Sequence, residues 1–237
     1  MINNDMTLAC IVAGGTGSRM GLDRPKQFYE IDGRPIIIIT IEKFLSVNEI
    51  DKIYIGCHRD WLGFMNEQIA RFDLDKRRII VTEGGADRNG TVFKCAYLAK
   101  KEFPEGRHML LTHDAVRPFV SEDIIRENIR LCREYGAVGT YVAATDTIVI
   151  SKDGSTVESV PERRTLFNAQ TPQTFMLDEL ISAYEQLDEK DRQSITDTCS
   201  VMTLAGRDIH IVTGDYKNIK ITTIGDLDVA KAILKNV

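Results

Sequence analysis

Residues 11–28 read Ile-Val-Ala-Gly-Gly-Thr-Gly-Ser-Arg-Met-Gly-Leu-Asp-Arg-Pro-Lys-Gln-Phe. The apolar run at residues 8–13 predicts a buried parallel strand. The run ends in a glycine-rich loop that contains Gly14, Gly15 and Gly17. Glycines adopt positive φ without strain, so successive backbone N–H groups can turn towards phosphate oxygens. Because Arg19 and Lys26 add full positive charges beyond the loop, the stretch predicts a polyphosphate site.

Two common glycine fingerprints are absent from this loop. A P-loop closes with Gly-Lys-Ser/Thr, and a dinucleotide-binding turn has a third glycine where Met20 stands. A nicotinamide enzyme would also need an acidic ribose ligand after the second strand, where the chain has Gly56-Cys57-His58. We therefore expect neither a P-loop NTPase nor a nicotinamide oxidoreductase. The alternative to a phosphate site is a tight strand-to-helix turn with two solvated basic residues, and the anchor Pro25-Lys26-Gln27-Phe28 argues against it.

Length and composition predict a single α/β domain over residues 1–237. The chain has 43% hydrophobic and 27% charged residues, which is ordinary for a globular protein. No apolar run is long enough to span a bilayer, and residues 1–6 lack an export signal, so we expect a cytoplasmic protein with no membrane partner. A net charge of −5 argues against nucleic-acid binding. Five scattered cysteines predict buried, reduced thiols rather than disulfides or zinc ligands.

Apolar runs and helical apolar spacing alternate along the chain. Strands are predicted at residues 8–13, 52–57, 78–82, 109–112, 138–144 and 209–213. Helices are predicted at residues 36–45, 61–72, 177–187, 195–205 and 227–234, with two more starting near Thr91 and Ser121. This alternation predicts a mostly parallel sheet with helices on both faces.

A second glycine-rich loop follows the predicted strand at residues 78–82. It reads Glu83-Gly84-Gly85-Ala86-Asp87-Arg88-Asn89-Gly90-Thr91 and continues into a helix. Thr91 or Asn89 could cap that helix while its N-terminus faces an anion. A simple strand-to-helix turn is the alternative.

The strand at residues 109–112 leads directly to His113 and Asp114. In an open α/β sheet, ligands bind beyond the carboxyl ends of the strands, so Asp114 is well placed for a metal ion. Mg²⁺ takes one or two carboxylates together with phosphate oxygens and water. The alternative is that Asp114 caps the next helix or pairs with Arg117. We expect His113 to be structural.

Residues 145–168, called the arm below, differ in character from the rest of the chain. Two β-rich runs at residues 147–150 and 156–160 flank the turn Lys152-Asp153-Gly154, which is typical of a hairpin. A hairpin inserted into a βα sheet has little core of its own. We therefore expect the arm to pack against another subunit.

The motif Ala13-Gly14-Gly15-x-Gly17-x-Arg19-Met20-Gly21, followed by Pro25-Lys26-Gln27-Phe28, resembles the sugar-phosphate cytidylyltransferases. The resemblance covers nearly the whole chain. It implies a Rossmann-like nucleotidyltransferase fold, a homodimer formed through the arm, and transfer of CMP from CTP to a polyol phosphate with Mg²⁺ as cofactor.

The resemblance also implies roles for individual residues. The residues implied to bind CTP are Val12, Ala13, Gly14, Gly15, Gly17, Gly84, Gly85, Ala86, Asp87, Arg88, Asn89, Gly90 and Thr91. The implied catalytic residues are Arg19, Lys26, Arg163 and Lys220. The implied acceptor-binding residues are Asp146, Thr147, Arg163 and Lys220, the last within the family's Asn-x-Lys-x-Thr motif. The metal is assigned to Asp114 and Asp215.

The implied reaction needs no general base, because the attacking phosphate monoester is already anionic above its second pKa of about 6. This agrees with the lack of a Ser/His/Asp or Cys/His set in the sequence. Catalysis should then consist of positioning and charge stabilisation. A non-catalytic nucleotide-sensing domain could dispense with Lys26 and Lys220, and both are present.

Within the family, four segments resemble the branch that makes CDP-ribitol from ribitol 5-phosphate for teichoic acid or capsule. They are Asp87-Arg88-Asn89, His113-Asp114-Ala115-Val116-Arg117-Pro118-Phe119, Asp146-Thr147-Ile148-Val149 and Thr196-Asp197-x-Cys199. Phe167-Asn168-Ala169-Gln170 departs from that branch, and Ile224 stands where a proline is common. The acceptor methylerythritol 4-phosphate, an isoprenoid precursor, therefore remains an alternative.

Overall fold

A mixed β-sheet forms the centre of the computed structural model, which describes residues 4–15 and 24–235. The strands are β1 (Thr7–Ala13), β2 (Glu30–Ile31), β3 (Arg34–Pro35), β4 (Lys52–Cys57), β5 (Ile79–Glu83), β6 (Met109–Asp114), β7 (Ala137–Ala143), β8 (Phe167–Met176) and β9 (His210–Thr213). Seven of them form one sheet in the order β5-β4-β1-β6-β8-β7-β9, and β2 pairs with β3 in a small hairpin. Only β8 runs antiparallel to its neighbours in the large sheet.

Helices cover both faces of the sheet, as the sequence predicts. They are α1 (Ile36–Leu45), α2 (Leu62–Arg71), α3 (Arg88–Glu102), α4 (Glu122–Tyr135), α5 (Leu177–Gln186), α6 (Glu189–Ser194), α7 (Thr198–Leu204) and α8 (Ile224–Leu234). Alternate residues of β1 point to opposite faces: Ile11 packs in the cluster with α1, α2 and α4, and Cys10 packs in the cluster with α3, α5 and α7. Two hydrophobic cores therefore enclose the sheet.

Strand register brings the loops after β1, β5 and β6 to one edge of the sheet. Val12 in β1 pairs with Asp114 in β6, and Ala13 pairs with Cys57 in β4. Cys57 in turn pairs with Glu83, where the second glycine-rich loop begins. Both glycine-rich loops and Asp114 thus leave the sheet at the same level, which is the arrangement that parallel strands predict.

The sequence interpretation missed β8, which lies between β6 and β7. Its residues, Phe-Asn-Ala-Gln-Thr-Pro-Gln-Thr-Phe-Met, form no apolar run. Buried polar groups stabilise it instead, because Thr174 donates to Asn128 and Thr140 donates to the carbonyl of Pro172. The proline is tolerated because the pairing with β7 is irregular there.

Smaller elements were also missed or shifted. The β2–β3 hairpin and α6 were not predicted, and the helix expected at residues 195–205 begins at Thr198. Helix α4 starts next to Ser121 as predicted, and the Ser121 hydroxyl caps it by accepting from the N–H of Ile124. All five cysteines are buried and free. In the part of the chain that the structure describes, no helix combines the length and the apolar character needed to cross a membrane.

The arm forms a turn with little regular pairing. The side chain of Asp153 accepts backbone N–H bonds from Ser155 and Thr156, which closes the turn at the expected place. A single bridge between Ile150 and Ser159 joins the two sides. The predicted hairpin is therefore present as a turn and one bridge rather than as two extended strands.

Candidate active site

A cavity of about 770 Å³ opens at the carboxyl edge of the sheet. It is lined by Val12, Ala13, Gly14, Gly15, Lys26, Gln27, His58, Arg59, Glu83, Gly84, Gly85, Ala86, Asp87, Arg88, Thr91, Lys94, Asp114, Ala115, Val116 and Lys220. Both glycine-rich loops, three predicted cationic residues and Asp114, one of the two predicted metal ligands, meet in this one cavity. Its volume lies within the range of small-molecule sites.

The first glycine-rich loop is attached to the segment that carries Lys26. The neighbouring residue, Gln27, is 2% exposed. Its amide nitrogen donates to the carbonyl oxygens of Ala13 at 2.8 Å and Gly15 at 3.0 Å. These bonds hold the backbone of the loop and the start of the Lys26 segment together. Lys26 is half-buried and lines the cavity.

The second glycine-rich loop is closed by its own side chains. The cap of α3 is Asp87, whose carboxylate accepts from the N–H of Gly90 at 2.7 Å, so the expected caps Thr91 and Asn89 are wrong. Thr91 instead donates to the carbonyl of Asp87 at 2.8 Å and accepts from the N–H of Gly85 at 2.9 Å. A Cβ on Gly85 would lie 2.3 Å from the carbonyl carbon of Gly90, so only glycine fits there.

Asp114 is surrounded by three cationic side chains of the described residues. Its Oδ1 lies 3.1 Å from Nε of Arg88, and its Oδ2 lies 3.3 Å from Nε of Arg117 and 3.0 Å from Nζ of Lys220. The carboxylate side chain is 8% exposed. Burial by itself would raise the pKa of Asp114, but the charges of Arg88, Lys220 and Arg117 outweigh it and hold the pKa well below its usual range. The carboxylate is therefore ionised, and the cluster has a net positive charge.

His113 is structural, as expected. It is fully buried, and burial lowers the pKa of its imidazole to about 4, so the ring is neutral at pH 7. Its Nε2 lies 3.1 Å from the carbonyl of Arg117, which can only accept, so Nε2 donates. Nδ1 then accepts from the hydroxyl of Thr171 at 3.0 Å.

Most of the predicted nucleotide-site residues line the cavity, and the others are placed elsewhere. Asn89 and Gly90 belong to the second loop but are not part of the cavity wall. Gly17 and Arg19 lie outside the described residues. Asp146, Thr147 and Arg163 are exposed on the arm, where Arg163 donates to the carbonyl of Thr145 at 3.2 Å. The cavity wall contains none of these three arm residues.

The structure does not bring Asp215 together with Asp114. Asp215 lines a different cavity, next to Phe119 and Ile233, and its carboxylate accepts from the N–H of Lys217 at 2.8 Å. The helix after Asp114 is capped by Ser121, so the alternative of Asp114 as a cap is wrong, whereas the alternative pairing with Arg117 is present.

Several cavity residues were not identified from the sequence. Gln27 appeared only as part of an anchor, although its amide holds the first loop. Arg59 and Lys94 bring further positive charge to the wall, opposite in sign to the nearby Glu83. Their positions in the sequence could have indicated them, because Arg59 follows β4 and Lys94 lies one turn after Gly90 on α3.

The carboxylates of the cavity could provide a hard oxygen ligand to a divalent ion. Among residues 4–15 and 24–235, no group of three or more His, Cys, Asp or Glu side chains is arranged to hold a metal. Asp114 contributes one carboxylate to the wall of this cavity of about 770 Å³. This donor set fits Mg²⁺ when substrate phosphates complete the shell, which is how the ion is commonly bound.

The chain is similar over nearly its whole length to known cytidylyltransferases. The family model "IspD: 2-C-methyl-D-erythritol 4-phosphate cytidylyltransferase" matches residues 7–236. A curated ribitol-5-phosphate cytidylyltransferase of Streptococcus pneumoniae (strain Hungary19A-6) is 41% identical over 233 residues, covering 97% of this chain and 99% of the relative.

Solved structures give the same result for the fold. The 4-diphosphocytidyl-2C-methyl-D-erythritol synthase of Anaerococcus prevotii DSM 20548 has a TM-score of 0.82 and 29% identity, covering 98% of this chain and 97% of that one. The 2-C-methyl-D-erythritol 4-phosphate cytidylyltransferase of Francisella tularensis has a TM-score of 0.80 and 28% identity, covering 96% and 99%.

Proposed function

Because this chain belongs to the IspD family of cytidylyltransferases, we propose that it transfers CMP from CTP to D-ribitol 5-phosphate, giving CDP-ribitol and pyrophosphate. The chain is a nucleotidyltransferase. One observation carries the assignment of its site: a single cavity collects both glycine-rich loops, Lys26, Asp114 and Lys220. The choice of acceptor is supported by the nearly full-length similarity to a ribitol-5-phosphate enzyme.

In the proposed reaction, a phosphate oxygen of ribitol 5-phosphate attacks the α-phosphorus of CTP. A new P–O bond forms, and the bond to the pyrophosphate leaving group breaks. The backbone N–H groups of the two glycine-rich loops bind CTP, and Lys26, with Arg19, stabilises the charge that builds up on the α-phosphate and the leaving group. Lys220 binds the acceptor phosphate near the α-phosphorus, which reduces the repulsion between two anions.

We propose Mg²⁺ as the cofactor and Asp114 as its protein ligand. The ion would neutralise phosphate charge, and oxygens of CTP would complete its coordination. Asp215 lies at another cavity and is not included in this site.

We further propose that the protein is a homodimer joined through the arm. Ile148, Val149, Ile150, Val157 and Val160 of the arm are 39–61% exposed, an apolar surface that a second subunit would cover. Arg163 on the same arm does not belong to the cavity of its own chain. We infer that it binds acceptor in the partner's site.

A mixed-subunit experiment tests the shared site. Co-expressed Arg163→Ala and Lys26→Ala subunits form heterodimers in which one site has both native residues, provided that Arg163 acts across the interface. Measurable pyrophosphate release from the mixed dimer, with both parent homodimers inactive, is expected. Inactive mixed dimers would assign Arg163 to its own subunit's site.

The proposed product is a precursor for teichoic acid or capsule synthesis. We place this reaction in the cytoplasm, where thiols stay reduced, because the five cysteines are free and buried. The experiment that tests the function is pyrophosphate release from CTP and Mg²⁺ with D-ribitol 5-phosphate and methylerythritol 4-phosphate in parallel. Release with ribitol 5-phosphate is expected. Release with methylerythritol 4-phosphate alone would change the acceptor but leave the mechanism intact. No pyrophosphate release with either acceptor would reject the proposal.

A further inference from the structure

The guanidinium of Arg88 is held from two directions at the wall of the nucleotide cavity. Its Nε donates to Oδ1 of Asp114 at 3.1 Å, and its Nη1 donates to the hydroxyl of Thr198 at 3.0 Å. We propose that Thr198, together with Gln173, is a positioning residue that orients Arg88 for CTP binding. This inference rests on the proposed function.

The hydroxyl oxygen of Thr198 accepts two hydrogen bonds from neighbouring side chains. A guanidinium can only donate, so the Thr198 oxygen accepts from Arg88. The carbonyl of Gln173 can only accept, so the hydroxyl of Thr112, 3.2 Å away, donates to it. The same Thr112 hydroxyl also donates to the Thr198 oxygen at 3.3 Å. The Thr198 oxygen therefore accepts from both Arg88 and Thr112, and Thr112 connects it to the backbone of β8.

Gln173 holds the helix that carries Thr198. Its side-chain oxygen accepts from the backbone N–H groups of Thr198 at 3.1 Å and Cys199 at 3.3 Å. Its amide nitrogen donates to the carboxylate of Asp197, the cap of α7, at 2.5 Å. Gln173 is 1% exposed, and Thr198 and Thr112 are fully buried. The first turn of α7 is therefore fixed to β8 by a side chain that bonds to three consecutive residues.

A second contact joins the start of α3 to the same segment. Asn89, the residue after Arg88, donates its amide to the carbonyl of Ile195 at 3.2 Å. Arg88 and Asn89, two adjacent residues of the second glycine-rich loop, thus contact the first residue of α7 and the segment just before it. These contacts explain why the Thr196-Asp197-Thr198-Cys199 motif lies beside the second glycine-rich loop, although the motif is not part of the cavity wall.

The substitution that isolates this role is Thr198→Val, which keeps the shape of the side chain and removes the acceptor. Thr203→Val is the matched control, because Thr203 is an exposed threonine on the same helix. Binding of CTP with Mg²⁺ is measured by calorimetry without any acceptor. Losing one hydrogen bond to a charged group should weaken CTP binding about 10-fold. Thr198→Ser, which keeps the hydroxyl, should bind CTP as the native protein does.

A double-mutant cycle with Arg88→Lys separates positioning from general destabilisation. Lys cannot reach Asp114 and Thr198 at once, so Thr198→Val should cost little further CTP affinity in that background. Equal losses in both backgrounds, or no loss in Thr198→Val, would overturn the inference. Lack of CTP binding by the native protein would instead reject the proposed function, so the two failures are distinguishable.

Discussion

The Nζ atom of Lys220 lies 3.0 Å from Oδ2 of Asp114. The residue proposed to bind the acceptor phosphate therefore contacts the residue proposed to bind the metal. Lys220 is also the most exposed of the three cations around this carboxylate, with 39% of its side chain accessible, against 22% for Arg88 and 11% for Arg117. Lys220 is thus the partner of Asp114 best placed to meet a substrate.

Replacing Lys220 with Met should raise the KM for the acceptor and lower kcat, because the acceptor phosphate loses its charged partner. CTP affinity and thermal stability should change little, since Arg88 and Arg117 still pair with Asp114. Lys217→Met is the matched control, an exposed lysine that lines the other cavity. Steady-state kinetics with varied acceptor measures the effect, and an unchanged KM and kcat would contradict it.

Replacing Asp114 with Asn should destabilise the fold. The substitution leaves three cationic side chains without their common counter-ion, and removing one partner of a buried ion pair costs about 3 kcal/mol or more. Urea unfolding without ligands measures the loss. CTP added without Mg²⁺ should stabilise this variant more than it stabilises the native protein, because its phosphates replace the missing negative charge. Equal CTP stabilisation of both proteins would argue against the anion-binding role of the cluster.

Replacing Lys26 with Ala should lower turnover by about 10²- to 10³-fold, the usual cost of one preorganised charge donor. The fold should survive, because the side chain of Gln27, which holds the adjacent loop, is retained. Lys101→Ala, at the exposed C-terminal end of α3, is the control for a lost lysine. Near-native turnover of folded Lys26→Ala protein would remove Lys26 from the catalytic residues.

Buried His113 should make the ligand-free protein less stable in mild acid. Burial lowers the pKa of its imidazole from 6.5 to about 4, so below pH 6.5 the unfolded chain binds a proton that the native state does not. Its contribution to stability is complete above pH 6.5 and is lost as the pH falls to 4, by up to about 3 kcal/mol.

Urea unfolding at several pH values measures this dependence. His113→Gln should flatten the curve between pH 6.5 and 4, whereas replacement of the exposed His210 should not. An unchanged slope in His113→Gln would assign the acid sensitivity to other groups.

The sequence predicted the parallel part of the sheet well, but a strand was missed where polar residues replace the apolar signal. Strand β8 is built from residues such as Gln173 and Thr174, which are buried because they bond to Asn128 and to the first turn of α7. Those bonds join residues 25 and 46 positions apart. Apolar periodicity contains no information about them, so the strand was not visible in the pattern.

The candidate site shows the same division. Both glycine-rich loops and Asp114 follow β1, β5 and β6, and parallel strands gather their carboxyl ends at one edge, so local sequence was enough to assemble them. The family resemblance also assigned the metal to Asp215, but Asp215 lines another cavity. Asp215 lies close to Lys220 in sequence, but the direction of the loop that joins these two residues depends on tertiary packing.

What the sequence by itself determined is the fold class, the family and the two glycine-rich loops, because these depend on short-range patterns of apolar residues and glycines. What only the tertiary structure decided is the charge environment of Asp114 and the support of Arg88 by Thr198. Arg88 and Thr198 are separated by 110 positions. Contacts over such distances exist only after strand register and helix packing bring the residues together, and no local pattern encodes them.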